Sequence, residues 1–507
     1  MDGLPGEPLG ETRSTVALVV VLAAGASALA YRGVLESYFW SDDFLLLYML
    51  RDMSLPEFLL TPFGGHTLVA RNALFALTHA WAGFDPRPYF VTVVATHALN
   101  VALLGGLIWR LTGSVLLTGF GALAWGISPT AGDSLSWYAA YSQVAATTCL
   151  LLAFERLARR AGHDASLPAR DLVVACLWLC LSLLFFGAVI AVALVWPIVI
   201  ALLFPGTLGD RRRLGAAVGA SVAVFALYEA LQLAARTLYA TPGTLGRLLE
   251  WAIGSPRSVL IALLQFVRVG VTSLVLGTWW TPAPQSDVVS WLTLLLAAVT
   301  WIVAFAAASV DARRKLAAFT LVAFAIYGLT AAARAPSASL LHGWTAAMVA
   351  AELRYHYAAQ AFLVVTLCVA VDTARAWTRT AVAVAGAAGL LLGTIFRGVQ
   401  VDRHDATRSD VAAALREVLA QIAATPRGQT AYVSDRDVYG FGWMPPTTTQ
   451  LPGLSGLFAI ISPSDEVDGR LVRFIEPTPA VAAAIQQHGG RLARLVVPPA
   501  ATGDPPS

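Results

Sequence analysis

Charged residues are scarce in this chain. Only 13% of the 507 residues are Asp, Glu, Lys or Arg, whereas soluble domains carry about 25%. Hydrophobic residues make up 57% of the sequence, and the mean hydropathy is +0.67. This composition excludes an ordinary soluble domain and predicts a polytopic membrane protein. The net charge is only +3 and no long basic run occurs, which argues against nucleic acid as a partner.

Cysteine is scarce as well, with four residues in the whole chain. All four lie inside apolar segments, so we interpret them as small buried hydrophobic residues rather than disulfide partners. Cys176 and Cys180 share a predicted helix face, but no histidine lies nearby, and two thiols alone make a poor metal site. The cysteines therefore predict neither a disulfide framework nor a cysteine metal site.

Apolar runs of membrane-spanning length predict an all-α transmembrane domain over residues 15–396. Residues 1–14 are polar and are expected to be disordered in the cytoplasm. Residues 246–277 carry three arginines and a glutamate, and they are predicted to form a surface or re-entrant element. About eleven spans are expected. They are residues 15–35, 88–108, 115–128, 137–154, 171–186, 188–204, 214–236, 288–309, 316–333, 356–374 and 380–396.

Clusters of basic residues follow alternate spans and set the expected orientation, because such loops stay in the cytoplasm. The basic residues are Arg110, Arg156, Arg159, Arg160, Arg211, Arg212, Arg213, Arg313, Arg314, Lys315, Arg375 and Arg379. Residues 36–87 then lie outside, as a loop with helices along the membrane surface. The protein is expected in the cell membrane with its N-terminus inside and its C-terminus outside, provided that residues 246–277 do not cross an odd number of times; a twelfth span there would change this topology.

The composition becomes more polar near residue 397. Residues 397–507 are predicted to form a small extracytoplasmic α/β domain of ordinary size. Its predicted elements are an amphipathic helix at 409–424 and strands at 430–433, 457–461, 471–475 and 492–497.

Two adjacent carboxylates, Asp42 and Asp43, follow the first span within the aromatic stretch Tyr38–Phe44. One interpretation is structural, with Ser41 or Asp42 capping a helix that starts near Asp43. The other is catalytic, because acids close to lipid are costly to keep and apolar surroundings raise a carboxylate pKa towards that of a useful general base. Successive helical side chains point about 100° apart, so the two acids are expected to divide these roles.

Two further constellations lie in segments predicted to be outside. His66 follows two glycines and Arg71 comes soon after, which fits either a solvated turn or a phosphate site. Asp133, in the loop before Trp137, either caps the next helix or contacts a substrate.

A third constellation is Glu352–Tyr357, at the predicted outside end of a late span. Its aromatic residues and arginine are typical of an interfacial anchor. The alternative makes Arg354 a clamp for a lipid phosphate, because a guanidinium group matches phosphate oxygens in bidentate fashion.

The order of these elements resembles the C-type glycosyltransferases (GT-C). This multispan superfamily includes protein O-mannosyltransferases and bacterial lipid-linked sugar transferases. The resemblance covers residues 15–396. It rests on one span, an Asp-Asp pair with interfacial helices, a histidine and an arginine, an internal His-Ala-Leu-Asn helix, a proline loop with an acid and Trp137, and an Arg-Tyr-x-Tyr motif before a late span.

The resemblance implies an inverting enzyme at the outer membrane face. Its donor would be a sugar on polyprenyl phosphate, and its acceptor a hydroxyl group on an envelope glycan, a lipid or a protein. Asp42 or Asp43 would deprotonate the acceptor, Arg354 with Arg71 would hold the phosphate, and Asp133 would be an accessory acid. The expected substrate-binding set is His66, Arg71, Asp133, Trp137, Arg354, Tyr355 and Tyr357. No dense carboxylate cluster exists outside the Asp42–Asp43 pair, so participation of a divalent cation, Mg²⁺ or Mn²⁺, is left open.

The sequence also departs from the family pattern. Tyr141 and Gln143 stand where relatives that transfer mannose often carry an arginine and then an acid. Phe185–Ala188 stands where many relatives carry a Lys-Glu pair. These changes remove charge from the expected cavity and keep open an inactive relative that serves as a scaffold or binds glycan. The other alternative is a transporter or flippase for a lipid-linked sugar, which would need ionisable residues at mid-membrane, whereas this chain has them mostly at one face.

Overall fold

The computed structural model describes most of the first 373 residues and short stretches beyond them. The described ranges are 9–39, 42–63, 66–160, 167–207, 210–239, 254–276, 288–342, 345–373, 420–434, 466–467 and 470–475. By its internal contacts the chain divides into two units. The first unit comprises Met1–Ser37 and Met53–His404, and the second comprises Tyr38–Asp52 and Asp405–Ser507.

Helices account for nearly all of the described residues of the first unit. In chain order the described helices of the protein are α1 (Leu9–Ala30), α2 (Asp42–Asp52), α3 (Leu55–Leu60), α4 (Val69–Ala82), α5 (Pro86–Thr112), α6 (Val115–Gly126), α7 (Gly132–Leu135), α8 (Tyr141–Ala158), α9 (Ala169–Phe185), α10 (Ile190–Leu203), α11 (Arg211–Tyr239), α12 (Pro256–Leu276), α13 (Val288–Ala307), α14 (Val310–His342), α15 (Ala346–Ala350) and α16 (Tyr357–Asp372). A 3₁₀ turn, Leu353–His356, leads directly into α16.

Seven helices in the described part of the chain are long and apolar enough to cross a membrane, or eight if α6 and the segment Pro129–Leu135, bent by 44°, form one span. The chain is therefore an all-α polytopic membrane protein, as the composition predicted. Six of the seven coincide with predicted spans; they are Arg13–Ala30, Pro86–Thr112, Arg211–Ala235, Val288–Ala307, Val310–Pro336 and Leu353–Asp372.

The other predicted spans fare differently. Those at 137–154 and 171–186 are the helices α8 and α9, neither of which is among the seven. The span at 188–204 matches a shorter apolar helix, Gly187–Leu203. The span at 380–396 lies outside the described residues. The count of eleven spans thus stays a prediction.

The seventh long apolar helix is α12, which falls in the segment predicted to be a surface or re-entrant element. An 18-residue window within its 21 residues has a mean hydropathy of 2.2, and the helix packs against α14, α15 and α16. This packing does not decide whether α12 crosses the membrane, so the surface or re-entrant placement stays a prediction. Arg268 is buried because its guanidinium group donates to Ser290 and Gln265 and lies over the Trp291 ring.

Helix ends follow the local sequence. Asp85 caps α5 by accepting a hydrogen bond from the Arg87 amide, and Gly113 ends the same helix at φ +66°, which suits glycine. At the start of α3 the Glu57 carboxylate accepts hydrogen bonds from the hydroxyl and amide of Ser54, and these bonds lower the pKa of Glu57. Helix α1 begins at Leu9, inside the region expected to be disordered.

One end of the bundle is rich in arginine. Glu155, near the end of α8, is paired with Arg110 of α5 at 2.8 Å and with Arg159 at 2.9 Å. Asp171, at the start of α9, is buried and binds two further arginines from the end of α8. These ion pairs confirm that Arg110 and the arginines of residues 156–160 lie at one end of the bundle.

The interior of the bundle contains paired polar groups between helices. Ser27 of α1 donates to the Gly126 carbonyl at 2.7 Å, and His97 of α5 contacts the same carbonyl at 2.9 Å through Nε2. Gln360 of α16 donates to the Gly270 carbonyl of α12 at 2.9 Å. In an apolar bundle such interhelical hydrogen bonds contribute roughly 0.6–2 kcal/mol each and fix the register of the helices.

The described strands form two small sheets. Pro62–Phe63 (β1) pairs antiparallel with His66–Thr67 (β2) in the first unit. In the second unit, Arg470–Ile475 (β5) pairs in parallel with Thr430–Ser434 (β3) and antiparallel with Glu466–Val467 (β4). The predicted strands at 430–433 and 471–475 are confirmed. Those at 457–461 and 492–497, and all but the last five residues of the 409–424 helix, lie outside the described residues, so a complete α/β domain is not established.

Gly270 gives a direct test of this packing. A Cβ atom at Gly270 would lie 2.0 Å from the Tyr327 hydroxyl and 3.0 Å from His356 Nδ1. Gly270→Ala should therefore separate these side chains and reduce the free energy of unfolding by about 1–3 kcal/mol. Thermal unfolding of the purified protein in detergent measures this change.

The matched control is Gly219→Ala on α11, where the added Cβ meets no atom within 4 Å. This control should unfold at the same temperature as the parent protein or slightly higher, because alanine favours a helix over glycine. Equal unfolding temperatures for Gly270→Ala and the parent would contradict the packing of α12 on α14 and α16.

Candidate functional site

Arg354 is the centre of the candidate site. It lies in the 3₁₀ turn before α16, with its guanidinium carbon 4.7 Å from the centre of the Trp137 ring and 4.9 Å from that of the Tyr355 ring. Glu352 forms an ion pair with it, and 20% of the Arg354 side chain and 27% of the Glu352 side chain are exposed. The arginine is thus held in position by two rings and one carboxylate while part of it stays accessible.

The second segment of the site is α7 with the turn that precedes it. The Ser134 hydroxyl donates to the Arg354 carbonyl at 3.3 Å, and the Asp133 carboxylate is near enough to stabilise the guanidinium group electrostatically. Four residues that the sequence analysis selected from two distant segments, Asp133, Trp137, Arg354 and Tyr355, are therefore brought together by the fold.

Two buried side chains, His356 and Tyr357, hold the turn that carries Arg354. His356 contacts the Tyr327 hydroxyl at 3.0 Å through Nδ1 and the Ala350 carbonyl at 2.8 Å through Nε2. The Tyr357 hydroxyl contacts His97 Nδ1 at 2.7 Å and accepts a hydrogen bond from Asn100 at 3.2 Å. These bonds hold the end of the short turn, where α16 begins, against α5, α14 and α15.

Tyr357 is consequently not placed as the sequence analysis expected. Its side chain is fully buried among His97, Asn100 and Trp125 rather than presented to a substrate. Successive helical residues point about 100° apart, so Tyr357 faces nearly opposite to Tyr355 and points into the bundle while Tyr355 stays at the rim. We assign Tyr357 to packing and leave it out of the substrate-binding set.

A pocket opens beside Tyr355. It is a shallow cleft, and the 430 Å³ between its walls includes space open to the surroundings. The walls come from the start of α10, from α11 and from α14, and they consist of Phe186, Gly187, Ala188, Ile190, Tyr228, Leu329, Thr330, Ala333, Arg334 and Tyr355. The uncharged stretch that departs from the family pattern therefore lines a pocket next to the predicted site.

Arg334 is a residue that the sequence analysis missed. It lies near the end of α14 opposite to Arg313 and Arg314, and its guanidinium carbon is 5.8 Å from the centre of the Tyr355 ring. The available signal was a single arginine at the predicted outside end of a span, where positive charge is uncommon.

The acidic pair Asp42–Asp43 belongs to the second unit and opens helix α2. The structure confirms that a helix begins there. Both carboxylates lie in its first turn, where their negative charge interacts favourably with the positive end of the helix dipole. Asp43 is fully buried and Asp42 is partly exposed.

The remaining predicted residues lie near the start of α4. His66 is in β2, where its backbone pairs with Phe63. Arg71 is in the first turn of α4 and is buried, with 2% of its surface exposed. The adjacent Asn72 donates to the carbonyl groups of α3 and ties the two helices together. The surroundings of Arg71 are thus those of a packed interior.

Within the described ranges, no group of three or more His, Cys, Asp or Glu side chains lies close enough to hold a metal ion.

Comparisons with known proteins add no relative, since no protein-family model and no curated protein matches the chain.

The contact between Arg354 and Trp137 can be measured by a double-mutant cycle. Arg354→Gln and Trp137→Leu should each destabilise the protein, and the double variant should lose less than the sum. A cation–π contact predicts a coupling of about 0.5–2 kcal/mol. Unfolding of the four proteins in denaturant gives this value.

The control cycle combines Arg354→Gln with Trp301→Leu, because Trp301 lies on α13 and bonds Thr320 instead. Its coupling should be close to zero. Additive effects in the Arg354–Trp137 cycle would mean that the two side chains do not interact in the folded protein.

Proposed function

We propose that this protein is a membrane glycosyltransferase. It moves a sugar from a polyprenyl-phosphate donor to a hydroxyl acceptor on a glycan, lipid or protein at the outer face, with inversion. The observation that carries the proposal is the position of Arg354: a partly exposed guanidinium group at the end of a long apolar helix, buttressed by Trp137 and Tyr355 and reached by Asp133.

The chemistry needs a cation at this place. When the sugar leaves, the pair of electrons of the bond between its anomeric carbon and the phosphate oxygen remains on the phosphate. The phosphate therefore gains negative charge in the transition state, and a positioned guanidinium group stabilises that charge. Because Arg354 is fixed before the substrate arrives, little reorganisation is needed at the moment of reaction.

The reaction also needs a base, and we assign this role to Asp42 or Asp43. The carboxylate takes the proton of the acceptor hydroxyl as the oxygen attacks the anomeric carbon from the face opposite to the phosphate. Asp42 is the better candidate for direct proton transfer because it is partly exposed, whereas Asp43 is buried. Asp43 then supports the start of α2.

The membrane accounts for the rest of the proposed arrangement. A polyprenyl phosphate cannot leave the bilayer, so its sugar has to be attacked where the spans end. We place about eleven spans around the lipid and the C-terminal residues in a small domain on the outer side.

A second candidate is a relative that binds lipid-linked sugar or glycan without transferring it. Two observations favour it: the pocket beside Tyr355 is lined by the uncharged stretch Phe186–Ala188, and Glu352 already neutralises part of the charge of Arg354. An assay of sugar transfer distinguishes the two candidates, because only the enzyme transfers the sugar.

The test incubates the purified full-length protein with a panel of polyprenyl-phosphate sugars and a hydroxyl acceptor. Transfer is expected for at least one donor. Asp42→Asn should reduce the rate about 10²–10⁴-fold because the base is lost. Arg354→Gln should reduce it about 10²–10³-fold because the leaving phosphate is no longer stabilised.

Asp311→Asn is the control. Asp311 lies at the start of α14, the end far from Arg334 and Tyr355, and pairs with Lys315. It should transfer at the parent rate. Binding of a donor without transfer by the parent protein would favour the second candidate, and equal rates for Asp42→Asn, Asp43→Asn and the parent would contradict the role of the acidic pair.

A further inference from the structure

The proposed function leaves Arg334 and the pocket beside it unused. Arg334 lines the pocket together with Tyr355, and it shares the Tyr355 ring with Arg354: both guanidinium carbons lie within 5.8 Å of the ring centre. Arg334 of α14 and Arg354 of the following 3₁₀ turn therefore meet at one tyrosine, but only Arg334 lines the pocket.

The polarity of the pocket lining changes along α14. Arg334 lines the outer end of the pocket, close to the end of the apolar stretch Val310–Pro336, whereas Leu329 and Thr330 line the part deeper in the bundle. Five residues of helix correspond to roughly 7.5 Å. Apart from Thr330 and the rim pair Arg334 and Tyr355, the lining is apolar or aromatic. A cation above an apolar cleft is complementary to the phosphate end of a lipid.

We propose that this pocket holds the isoprene units next to the phosphate of a polyprenyl phosphate, with Arg334 as a second phosphate-binding residue. The identity of the lipid rests on the proposed function. The assignment of Arg334 rests on its place in the pocket and on its approach to Tyr355.

The charge of the lipid gives Arg334 a distinct task. A sugar phosphate diester carries one negative charge, whereas the monoester left after transfer carries nearly two at neutral pH, because its second pKa is about 6. Arg354 shares its charge with Glu352 and Asp133. A second guanidinium group therefore matches the charge that appears as the sugar departs, and it strengthens binding of the sugar-free lipid more than binding of the donor.

Interfacial anchoring is the alternative role for Arg334, since arginine and tyrosine both collect at membrane edges. An anchor contacts the phosphate of any anionic phospholipid and does not depend on the space beside it. The two roles therefore differ in lipid selectivity and in their response to filling the pocket.

The experiment measures binding of undecaprenyl phosphate, phosphatidylglycerol and inorganic phosphate to the purified full-length protein in detergent. Undecaprenyl phosphate should bind most tightly, and Arg334→Gln should weaken it by about tenfold or more, because a charge-assisted hydrogen-bond pair is lost. Arg334→Lys, which keeps the charge but not the bidentate geometry, should fall between the two. No sugar transfer is needed, so the result is independent of catalysis.

Filling the pocket tests the same site without changing charge. Ala333→Phe should weaken binding of undecaprenyl phosphate, while Ala332→Phe, on a neighbouring residue that does not line the pocket, should not. Arg314→Gln is the matched charge control at the other end of α14. Folding of each variant is checked by its thermal unfolding, and Arg334→Lys and Ala333→Leu serve if a larger change unfolds the protein.

Three results would overturn the proposal. They are unchanged binding in both Arg334→Gln and Ala333→Phe, equal affinity for phosphatidylglycerol and undecaprenyl phosphate, and equal competition by inorganic phosphate. A protein that transfers sugar normally but shows any of these results would keep the proposed function and lose this site. A protein that binds the lipid as described but transfers no sugar would keep the site and lose the proposed function.

Discussion

Polar groups inside an apolar bundle must be paired, and the pairing of Tyr357 is the constraint on which the candidate site depends. His97 and Asn100 bind the Tyr357 hydroxyl, and Trp125 donates to its carbonyl group. Each unpaired group in such an interior costs several kcal/mol, so α5 and α6 fix the first residue of α16. Because Arg354 is only three residues earlier, its position follows from contacts deep in the bundle rather than from flexible surface residues.

The two ends of α8 show how the same bundle supports different electrostatics. At one end Glu155 and Asp171 are saturated by arginines, and these ion pairs tie α5, α8 and α9 together. At the other end Arg354 is held mainly by aromatic rings, with one carboxylate in contact and Asp133 nearby. The first arrangement is suited to stability. The second leaves a cation partly exposed at the end of the spans, where a lipid phosphate would lie.

Much of this architecture could be predicted from the sequence, because apolar length alone identifies long membrane helices. The convergence of Asp133, Trp137 and Arg354 was also accessible, since span counting places both segments at one end. Sequence could not show that Tyr357 turns inward, because that depends on the polar partners His97 and Asn100, which another helix provides. Arg334 was missed, because its significance comes from the pocket formed by α10, α11 and α14. The sequence analysis read the charge of Arg268 as a sign of exposure, although a bond to Ser290 allows its burial.

The central claim is that the acidic pair and the late arginine act on one lipid headgroup. A cryo-electron microscopy structure of the full-length protein in lipid nanodiscs, bound to a non-reactive phosphonate analogue of a polyprenyl-phosphate sugar, tests it most directly. The account predicts the phosphonate against the Arg354 guanidinium group and a carboxylate of Asp42 or Asp43 beside the anomeric carbon, on the face opposite to the phosphonate. A headgroup bound away from Arg354, or an acidic pair at the other end of the bundle, would contradict it.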